Sequence, residues 1–292
     1  MKSRWPFLII FGVFIVLLTI GSFYDFQISN AVFVKDNGFV TFMASLGEYP
    51  AYSLIAFCGG FIIGSGFKHY RKKAGNYILI FLGLIAFGLG FYYQGKAITS
   101  VNGYNMENMR WIIGMPISFA IISPMVMLGC FAAFKNPDRN LWKTAVAVAS
   151  TLGIAIIIVT VIKTIPHRPR FRFLVQGHSE LFKNWWEPFE EYKNYIVGDI
   201  TSEEFKSFPS GHTANACVLL CLPYIVDFIG IKNEKIRTGS FYVGFAYVLL
   251  LAFTRIQCGG HFLSDISMGA LVSTACMFIT NEIIQKYLLK QC

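Results

Sequence analysis

The sequence predicts an all-α protein, a polytopic transmembrane helix bundle of about eight spans with both termini on the cytoplasmic side. The composition is that of a membrane protein, because 55% of the 292 residues are hydrophobic and only 14% are charged, whereas soluble domains carry roughly 25% charged residues. Hydrophobic runs long enough to cross a bilayer recur along the chain, and basic residues fall in alternate connections. We therefore expect one integral membrane domain over residues 1–292.

The first run, Trp5–Tyr24, contains no charged residue and follows Lys2 and Arg4. A secretory signal peptide has a shorter apolar core and a small-residue cleavage site, so this run predicts an uncleaved transmembrane helix. Seven further spans are predicted at Tyr49–Phe67, Asn76–Tyr93, Trp111–Phe134, Thr144–Ile162, Ser210–Ile231, Thr238–Thr254 and Phe262–Thr280.

Loop charge predicts the orientation of the bundle, since Lys and Arg are enriched in cytoplasmic loops. With a cytoplasmic N-terminus, every connection on that side is basic, and eight spans return the C-terminus to the same side. These segments hold Lys2, Arg4, Lys68, Arg71, Lys72, Lys73, Lys135, Arg139, Lys143, Lys232, Lys235, Arg237, Lys286 and Lys290. The formal net charge of +9 then reflects topology, and no nucleic-acid partner is expected.

Two connections on the opposite side are longer than a simple turn. Ala31–Glu48 is interrupted by charged residues and is predicted to be an outer loop lying at the interface. Lys163–Pro209 is long enough to suggest a functional loop. An interfacial aromatic belt explains most of its many Phe, Tyr and Trp residues, and a lid or a path for acyl chains is the alternative.

Unusual polar residues form three clusters on the predicted outer side. The first is KTIPHRPRF, with Lys163, His167, Arg168 and Arg170 at the end of the fifth span. A snorkelling lysine with a basic interfacial flank explains such a cluster without any function. The positive-inside bias disfavours that explanation on the outer side, so a bound anion is the other hypothesis.

The second cluster, Pro-Ser-Gly-His at 209–212, precedes the sixth span. Ser210 is a good helix N-cap, and Gly211 lets a ligand approach the backbone closely. The first N–H groups of a helix lack internal partners and lie at the positive end of its dipole, which suits a phosphate. An ordinary N-cap followed by a surface histidine, His212, is the alternative.

The third cluster, TRIQCGGHFLSD at 254–265, contains Arg255, His261 and Asp265. Residues four apart share a helix face, and a carboxylate at this offset orients an imidazole and stabilises its cation. An Asp facing lipid at depth costs about 2.5–3.5 kcal/mol, so we expect Asp265 to face a cavity with His261 as its partner. A pair that only packs the bundle is the alternative.

Together the clusters suit phosphoryl transfer without a metal. Cations neutralise the phosphoryl oxygens, one histidine attacks phosphorus, and the other protonates the leaving oxygen. The seven cysteines show no paired or metal-ligand spacing, so we expect no disulfide framework, no metal and no other cofactor. A transporter or channel with an anion-binding cationic pocket is the alternative, although such pockets are more typical of mid-membrane positions.

The three clusters resemble the signature of the type 2 phosphatidic acid phosphatase superfamily, whose members are integral membrane lipid phosphatases. The second part of that signature, Pro-Ser-Gly-His, is intact at residues 209–212. The third part, Ser-Arg-x5-His-x3-Asp, is matched by Thr254, Arg255, His261 and Asp265, with threonine keeping the hydroxyl of the usual serine.

The first part of the signature, Lys-x6-Arg-Pro, leaves two candidates for its arginine. Six residues separate Lys163 from Arg170, but Phe171 follows where the family has proline. An Arg-Pro pair occurs at Arg168 and Pro169, with four residues after Lys163. Spacing favours Arg170, and Arg168 is retained as a second phosphate contact or a substitute.

The resemblance implies a six-span core preceded by additional N-terminal spans, with the catalytic motifs within 163–265. It implies that His261 is the nucleophile and forms a phosphohistidine, that Asp265 orients it, and that His212 protonates the leaving group. The implied phosphate-binding residues are Lys163, Arg170, Arg168, Ser210, Gly211 and Arg255.

The implied substrate is a membrane lipid phosphate, and the lipid bilayer is the other expected partner. Phosphatidate, phosphatidylglycerol phosphate and isoprenyl diphosphate are all compatible with the motifs, and a sugar phosphate is the alternative. We expect a bacterial cytoplasmic membrane with an extracytoplasmic active site, and a eukaryotic internal membrane with a lumenal site is the alternative.

Overall fold

The computed structural model describes residues 5–69, 73–98, 100–101, 104–105, 109–136, 138, 140–198 and 200–288. Several basic residues used to predict the orientation lie outside these ranges, namely Lys2, Arg4, Arg71, Lys72, Arg139 and Lys290. The cytoplasmic location of the termini therefore stays a prediction.

The described chain is almost entirely helical. Its α-helices are α1 (Trp5–Val32), α2 (Gly38–Leu46), α3 (Tyr49–His69), α4 (Lys73–Ile98), α5 (Met115–Lys135), α6 (Leu141–Lys163), α7 (Phe171–Leu174), α8 (Gly211–Ala216), α9 (Leu222–Ile229), α10 (Glu234–Gln257) and α11 (Leu263–Ile283). A 3-10 turn, Cys217–Cys221, joins α8 to α9, and π-helical turns lie at Arg110–Gly114 and Ile284–Leu288. One short antiparallel pairing joins β1 (Ser100–Val101) to β2 (Tyr104–Asn105).

The predicted helical bundle is confirmed. Within the described ranges, eight helical stretches are long and apolar enough to cross a membrane: Trp5–Val32, Gly38–Lys68, Gly75–Ala97, Arg110–Lys135, Leu141–Lys163, Gly211–Ile229, Glu234–Gln257 and Leu263–Tyr287. Each predicted span overlaps one of them. The apolar runs were therefore sufficient to find every span in this part of the chain.

Two boundaries on the N-terminal side differ from the prediction. α1 continues past Tyr24 to Val32, because Asp25 and Ser29 are buried against other helices instead of facing water. The prediction of a loop over Ala31–Glu48 is wrong for its centre, where α2 forms. Asn37 caps this helix by accepting a hydrogen bond from the Val40 N–H at 3.1 Å.

Two helices form the centre of the bundle. α3 packs against α4, α5 and α6, and α11 packs against α1, α6 and α8. The peripheral helices expose large apolar side chains, including Phe23, Phe81, Trp111, Phe131 and Ile157. Such a surface is what contact with lipid requires, because no water is available there to solvate polar groups.

The long connection between α6 and α8 has a small hydrophobic core of its own. Phe171, Phe173, Phe189 and Phe205 are buried in one cluster, which Phe262 from the start of α11 joins. Phe208 is also buried and stacks on Trp185. Assigning most of the aromatic residues of this loop to an interfacial belt is therefore wrong for these five loop phenylalanines. Their packing holds the loop across the same end of the bundle at which α6 ends and α8 and α11 begin.

Candidate active site

The helix ends bring the three predicted clusters together. Lys163 is the last residue of α6, and its Nζ donates to the Lys206 carbonyl oxygen at 3.1 Å. A side chain at Gly211 would lie 3.7 Å from the Lys163 Cε. The lysine therefore lies beside the first residue of α8.

The N-terminus of α8 is tied to α11 through the backbone. Ser210 caps α8 by accepting from the Thr213 N–H at 3.3 Å, and its own N–H donates to the Asp265 carbonyl oxygen at 2.9 Å. Gly269 on α11 leaves room for this approach, because a Cβ there would collide with the Ser210 carbonyl oxygen. The Pro-Ser-Gly-His turn and the start of α11 thus form one rigid unit.

Arg255 lies in the last turn of α10 and is buried. Its carbonyl oxygen accepts from the Gly260 and His261 N–H groups at 3.2 and 3.1 Å. A Cβ on Gly260 would lie 2.6 Å from the Arg255 Nη2, so a side chain at this position would displace the guanidinium. The turn after α10 therefore holds Arg255 and His261 next to each other.

His261 is 1% exposed. Its Nδ1 donates to the Ser207 carbonyl oxygen at 2.6 Å, a geometry that assigns the proton to Nδ1 and leaves the lone pair on Nε2. Burial lowers the pKa of His261 well below its usual value, and Asp265 opposes this shift while Arg170 adds to it. The imidazole is therefore neutral at physiological pH, as a nucleophile must be.

Asp265 and His261 are adjacent, but they are connected by hydrogen bonds through Ser207 and not directly. The Asp265 Oδ2 lies 3.8 Å from the His261 Nδ1, which is too far for a hydrogen bond. The same oxygen accepts from the Ser207 hydroxyl and from the Phe262 N–H. Ser207 contacts both members of the pair, and no sequence signal had singled it out.

His212, the second residue of α8, has a carboxylate neighbour of its own. Its Nδ1 lies 3.6 Å from Glu48 Oε1, and its Nε2 lies 3.1 Å from the Ala44 carbonyl oxygen. Tyr52 Oη and Asn215 Nδ2 donate to the buried Glu48 carboxylate at 3.0 and 2.8 Å. Glu48 was missed because it lies at the end of a stretch that was predicted to be a loop at the interface.

Arg168 and Arg170 occupy different environments. Arg168 is fully buried, and its guanidinium donates to Asp265 Oδ1 at 2.6 Å and Asp25 Oδ2 at 2.9 Å. Arg170 donates from Nε to the Glu203 carbonyl oxygen at 2.7 Å, and its Nη2 lies 4.0 Å from the Glu203 carboxylate. Arg168 is thus committed to two carboxylates, which does not support the expectation that it contacts phosphate.

Arg170 faces the other cations. It lies within electrostatic range of Lys163 and Arg255, and we refer to these three residues as the cation cluster. Burial and the neighbouring Arg172 lower the pKa of Arg170 to about 10, so the guanidinium keeps its charge at neutral pH. All three residues act electrostatically on His261, an arrangement that suits a doubly charged phosphate monoester.

A cavity of about 190 Å³ adjoins His212. It is lined by Ser45, Glu48, Tyr52, Tyr93, Lys96, Ala97 and His212.

Across the ranges that the structure describes, no group of three or more His, Cys, Asp or Glu side chains is placed to hold a metal ion.

The comparisons with known proteins agree with this geometry. The sequence model of the PAP2 superfamily, the type 2 phosphatidic acid phosphatases, matches residues 144–288. The chain belongs to the PAP2 superfamily. The matched region contains all of the predicted site residues, whereas α1 to α5 precede it. The predicted family is confirmed.

One relative is a lipid phosphatase by its name. The chain is 27% identical over 247 residues to phosphatidylglycerophosphatase B of Haemophilus influenzae, an alignment that covers 75% of this chain and 97% of that protein. No solved structure matches the chain significantly. The PAP2 chain described here is thus an integral membrane phosphatase that acts on lipid phosphates, which favours the predicted enzyme over the transporter.

Proposed function

We propose that this PAP2 phosphatase hydrolyses the terminal phosphomonoester of a glycerophospholipid of the phosphatidylglycerol phosphate type, without a metal and through a phosphohistidine on His261. The observation that carries the mechanism is the state of His261. Its Nδ1 is held by the Ser207 carbonyl oxygen, so the lone pair of Nε2 is available among the charges of the cation cluster.

The first half of the reaction forms the phosphoenzyme. The Nε2 lone pair of His261 attacks phosphorus while the bond from phosphorus to the lipid oxygen breaks. A protonated His212 gives its proton to that oxygen, so the lipid leaves as an alcohol. Lys163, Arg170 and Arg255 stabilise the charge on the phosphoryl oxygens as it is redistributed, and the start of α8 at Ser210 and Gly211 contributes its N–H dipoles.

The second half regenerates the enzyme. Water attacks the phosphohistidine, the now neutral His212 takes the proton of the water, and the phosphorus–nitrogen bond breaks to release inorganic phosphate. Both histidines return to their starting states. The ring centroids of His212 and His261 are 6.4 Å apart, so both imidazoles belong to the same site.

The substrate assignment is supported by the name of the relative and by the position of the cation cluster at the helix ends, where a lipid headgroup would lie. The test is phosphate release from purified protein in detergent with excess EDTA, using phosphatidylglycerol phosphate, phosphatidate and isoprenyl diphosphate in parallel. We expect full activity in EDTA and the highest kcat/KM with phosphatidylglycerol phosphate. A strict requirement for added magnesium would contradict the metal-free mechanism, and a preference for isoprenyl diphosphate would contradict the substrate.

We place the site on the extracytoplasmic side of a bacterial cytoplasmic membrane, a proposal supported by the basic residues at the opposite ends of the helices. In a background without the seven native cysteines, Val197→Cys in the outer loop should react with a membrane-impermeant thiol reagent in intact cells. Lys232→Cys, in the short connection before α10, should react only after the cells are opened. The reverse pattern would overturn the orientation.

A further inference from the structure

A buried carboxylate on α1 lies directly behind the candidate active site. Asp25 is 3% exposed, and it belongs to a helix that precedes the region matched by the family. A charged residue within a membrane span is costly unless it is paired and faces the protein interior. Asp25 has such a partner in Arg168, which none of the catalytic steps above uses.

Arg168 joins Asp25 to Asp265. Its Nη2 donates to Asp25 Oδ2 at 2.9 Å and its Nη1 donates to Asp265 Oδ1 at 2.6 Å. Its Nε donates to the Lys183 carbonyl oxygen at 2.8 Å, and the guanidinium lies 4.1 Å from the centre of the Phe262 ring. The side chain is held on every side, so it can transmit the position of one carboxylate to the other.

Asp25 also holds the start of α11 directly. Its Oδ1 accepts from the Ser264 N–H at 2.9 Å, and its Oδ2 accepts from the Ser264 hydroxyl. Arg168 Nη1 donates to the same hydroxyl at 2.8 Å. We call Asp25, Arg168, Ser264 and Asp265 the Arg168 network. It connects α1, the outer loop and α11 within one turn of His261.

The two oxygens of Asp265 serve different neighbours. Oδ1 faces Arg168, whereas Oδ2 faces Ser207, Phe262 and, at 3.8 Å, the imidazole of His261. The carboxylate is a rigid group, so a hydrogen bond that holds Oδ1 of Asp265 also holds its Oδ2. Oδ2 in turn holds Ser207, whose carbonyl oxygen accepts from the His261 Nδ1. A displacement of Arg168 would be passed on to the nucleophile through these contacts.

The charges of the network do not cancel. Two carboxylates share one guanidinium, which leaves one excess negative charge behind His261 in a water-poor site. The imidazole becomes cationic when Nε2 bonds to phosphorus, and a negative charge behind it stabilises that state. Without Asp25, Arg168 would neutralise Asp265 completely, and the developing cation would lose this support.

We propose that Asp25 is a positioning residue for phosphoryl transfer, acting through Arg168 and Asp265 on His261. The proposal rests on the proposed function of His261 as nucleophile. A buried ion pair is weak evidence for stability, because an apolar replacement is often as stable. A functional role explains better why two acids and one base are buried together at this end of the bundle.

The test is Asp25→Asn, with kcat, KM and the pH dependence of kcat/KM measured on phosphatidylglycerol phosphate. We expect kcat to fall about 10- to 100-fold with KM unchanged within about twofold, since the cation cluster that binds phosphate is untouched. The kcat/KM profile reports the free enzyme. Its acid limb, where His261 becomes protonated, should move to lower pH in the variant, because removal of a negative charge disfavours the imidazolium.

The acid limb depends on every charged group that faces His261, and only Asp25 is changed in the variant. Those groups, with the segments that carry them, are Lys163 on α6, Arg170 in the outer loop, His212 on α8, Arg255 on α10 and Asp265 on α11. Asp227→Asn is the matched control, because Asp227 pairs with Arg237 at 3.1 Å far from the site. It should leave kcat and the pH profile as in the wild type.

Two results would overturn the proposal. One is a folded Asp25→Asn enzyme with wild-type kcat and an unmoved acid limb. The other is a lower apparent kcat with an unmoved acid limb, in which the amplitude of the phosphoenzyme burst shows that fewer enzyme molecules are active. Such a result would mean that Asp25 only supports the fold. If Asp25→Asn does not fold, Ser264→Ala, which keeps both charges, should show a smaller fall in kcat, and wild-type kcat in that variant would also overturn it.

Failure of the proposed function gives a different result. If wild-type enzyme forms no phosphohistidine, the nucleophile assignment is wrong whatever Asp25 does. If wild-type and Asp25→Asn enzymes form it at the same rate, the nucleophile stands and the positioning role of Asp25 fails.

Discussion

The two histidines of the site have similar neighbours and different environments. Each imidazole has a carboxylate within 4 Å of its Nδ1, Asp265 at 3.8 Å from His261 and Glu48 at 3.6 Å from His212. His261 is 1% exposed and its Nδ1 is bonded to a backbone carbonyl. The His212 side chain is 28% exposed and borders a cavity.

The carboxylates differ as well. Asp265 is bonded to the Arg168 cation, so much of its charge is already compensated. Glu48 accepts from neutral donors, Tyr52 and Asn215, and we propose that its charge stabilises the protonated His212 of the mechanism. The difference suits the two proposed roles, because a nucleophile needs a fixed neutral tautomer and a general acid needs a proton that it can exchange with water.

The largest expected effect is that of His261→Ala. Loss of the nucleophile should lower kcat by on the order of 10⁶-fold, both for the lipid and for an activated aryl phosphate, because every substrate must pass through the same phosphoenzyme. The variant should keep the thermal stability of the wild type. His178→Ala, which removes an imidazole elsewhere in the outer loop, is the control, and residual turnover near the wild-type rate in His261→Ala would refute the assignment.

His212→Ala separates the two histidines by leaving group. With the lipid, whose alkoxide must be protonated, we expect a loss of about 10²- to 10⁴-fold in the rate of phosphoenzyme formation. With p-nitrophenyl phosphate, whose phenolate leaves unprotonated, the same step should be reduced much less. Single-turnover rapid quench measures both. Equal losses with the two substrates would mean that His212 is not the general acid.

Alanine substitutions of Arg170 and Arg168 should affect different properties, activity in the first case and stability in the second. Arg170→Ala should reduce kcat/KM about 10²- to 10³-fold at unchanged stability, by analogy with the loss of one preorganised oxyanion donor, and Arg170→Lys should restore only part of it. Arg168→Ala leaves Asp25 and Asp265 buried without their cation, which should cost about 3–5 kcal/mol of stability. Thermal unfolding and steady-state kinetics of both alanine variants test this difference. A stable but inactive Arg168→Ala variant would show that Arg168 is the phosphate-binding arginine.

The smallest expected effect is that of Glu48→Gln. The amide keeps an oxygen acceptor for Tyr52 but removes the charge that supports protonated His212. We expect about a tenfold fall in kcat with the lipid and almost none with p-nitrophenyl phosphate. Glu191→Gln, on the exposed surface of the outer loop, is the matched control. The same fall with both substrates would show that Glu48 only supports the fold.

The sequence was sufficient for features that depend on local patterns. Apolar runs predicted the eight spans, and the four-residue spacing placed Asp265 beside His261, because both depend on neighbours along one helix or turn. The choice between Arg168 and Arg170 was not local. The decisive partner of Arg168 is Asp25, which lies 143 residues away in the chain, and spacing within the motif contains no information about it.

The contacts of the N-terminal helices with the site were the hardest feature to predict from the sequence. Glu48 contacts Asn215 across 167 residues, and Asp25 follows directly after the predicted end of the first span. One clue was present, because an acidic residue at the edge of an apolar run is costly unless it is buried with a partner. The partner itself, and α2 around Ala44, could be found only once the helices were packed together.

The most direct test of the account is to trap the phosphoenzyme and locate it. Rapid acid-free quenching of the wild type with substrate labelled on phosphorus should give an alkali-stable, acid-labile phosphohistidine that maps to His261. His261→Ala should give none, and His212→Ala with p-nitrophenyl phosphate should accumulate more than the wild type, because water then lacks its base. Label on His212, or turnover without any phosphohistidine, would contradict the account.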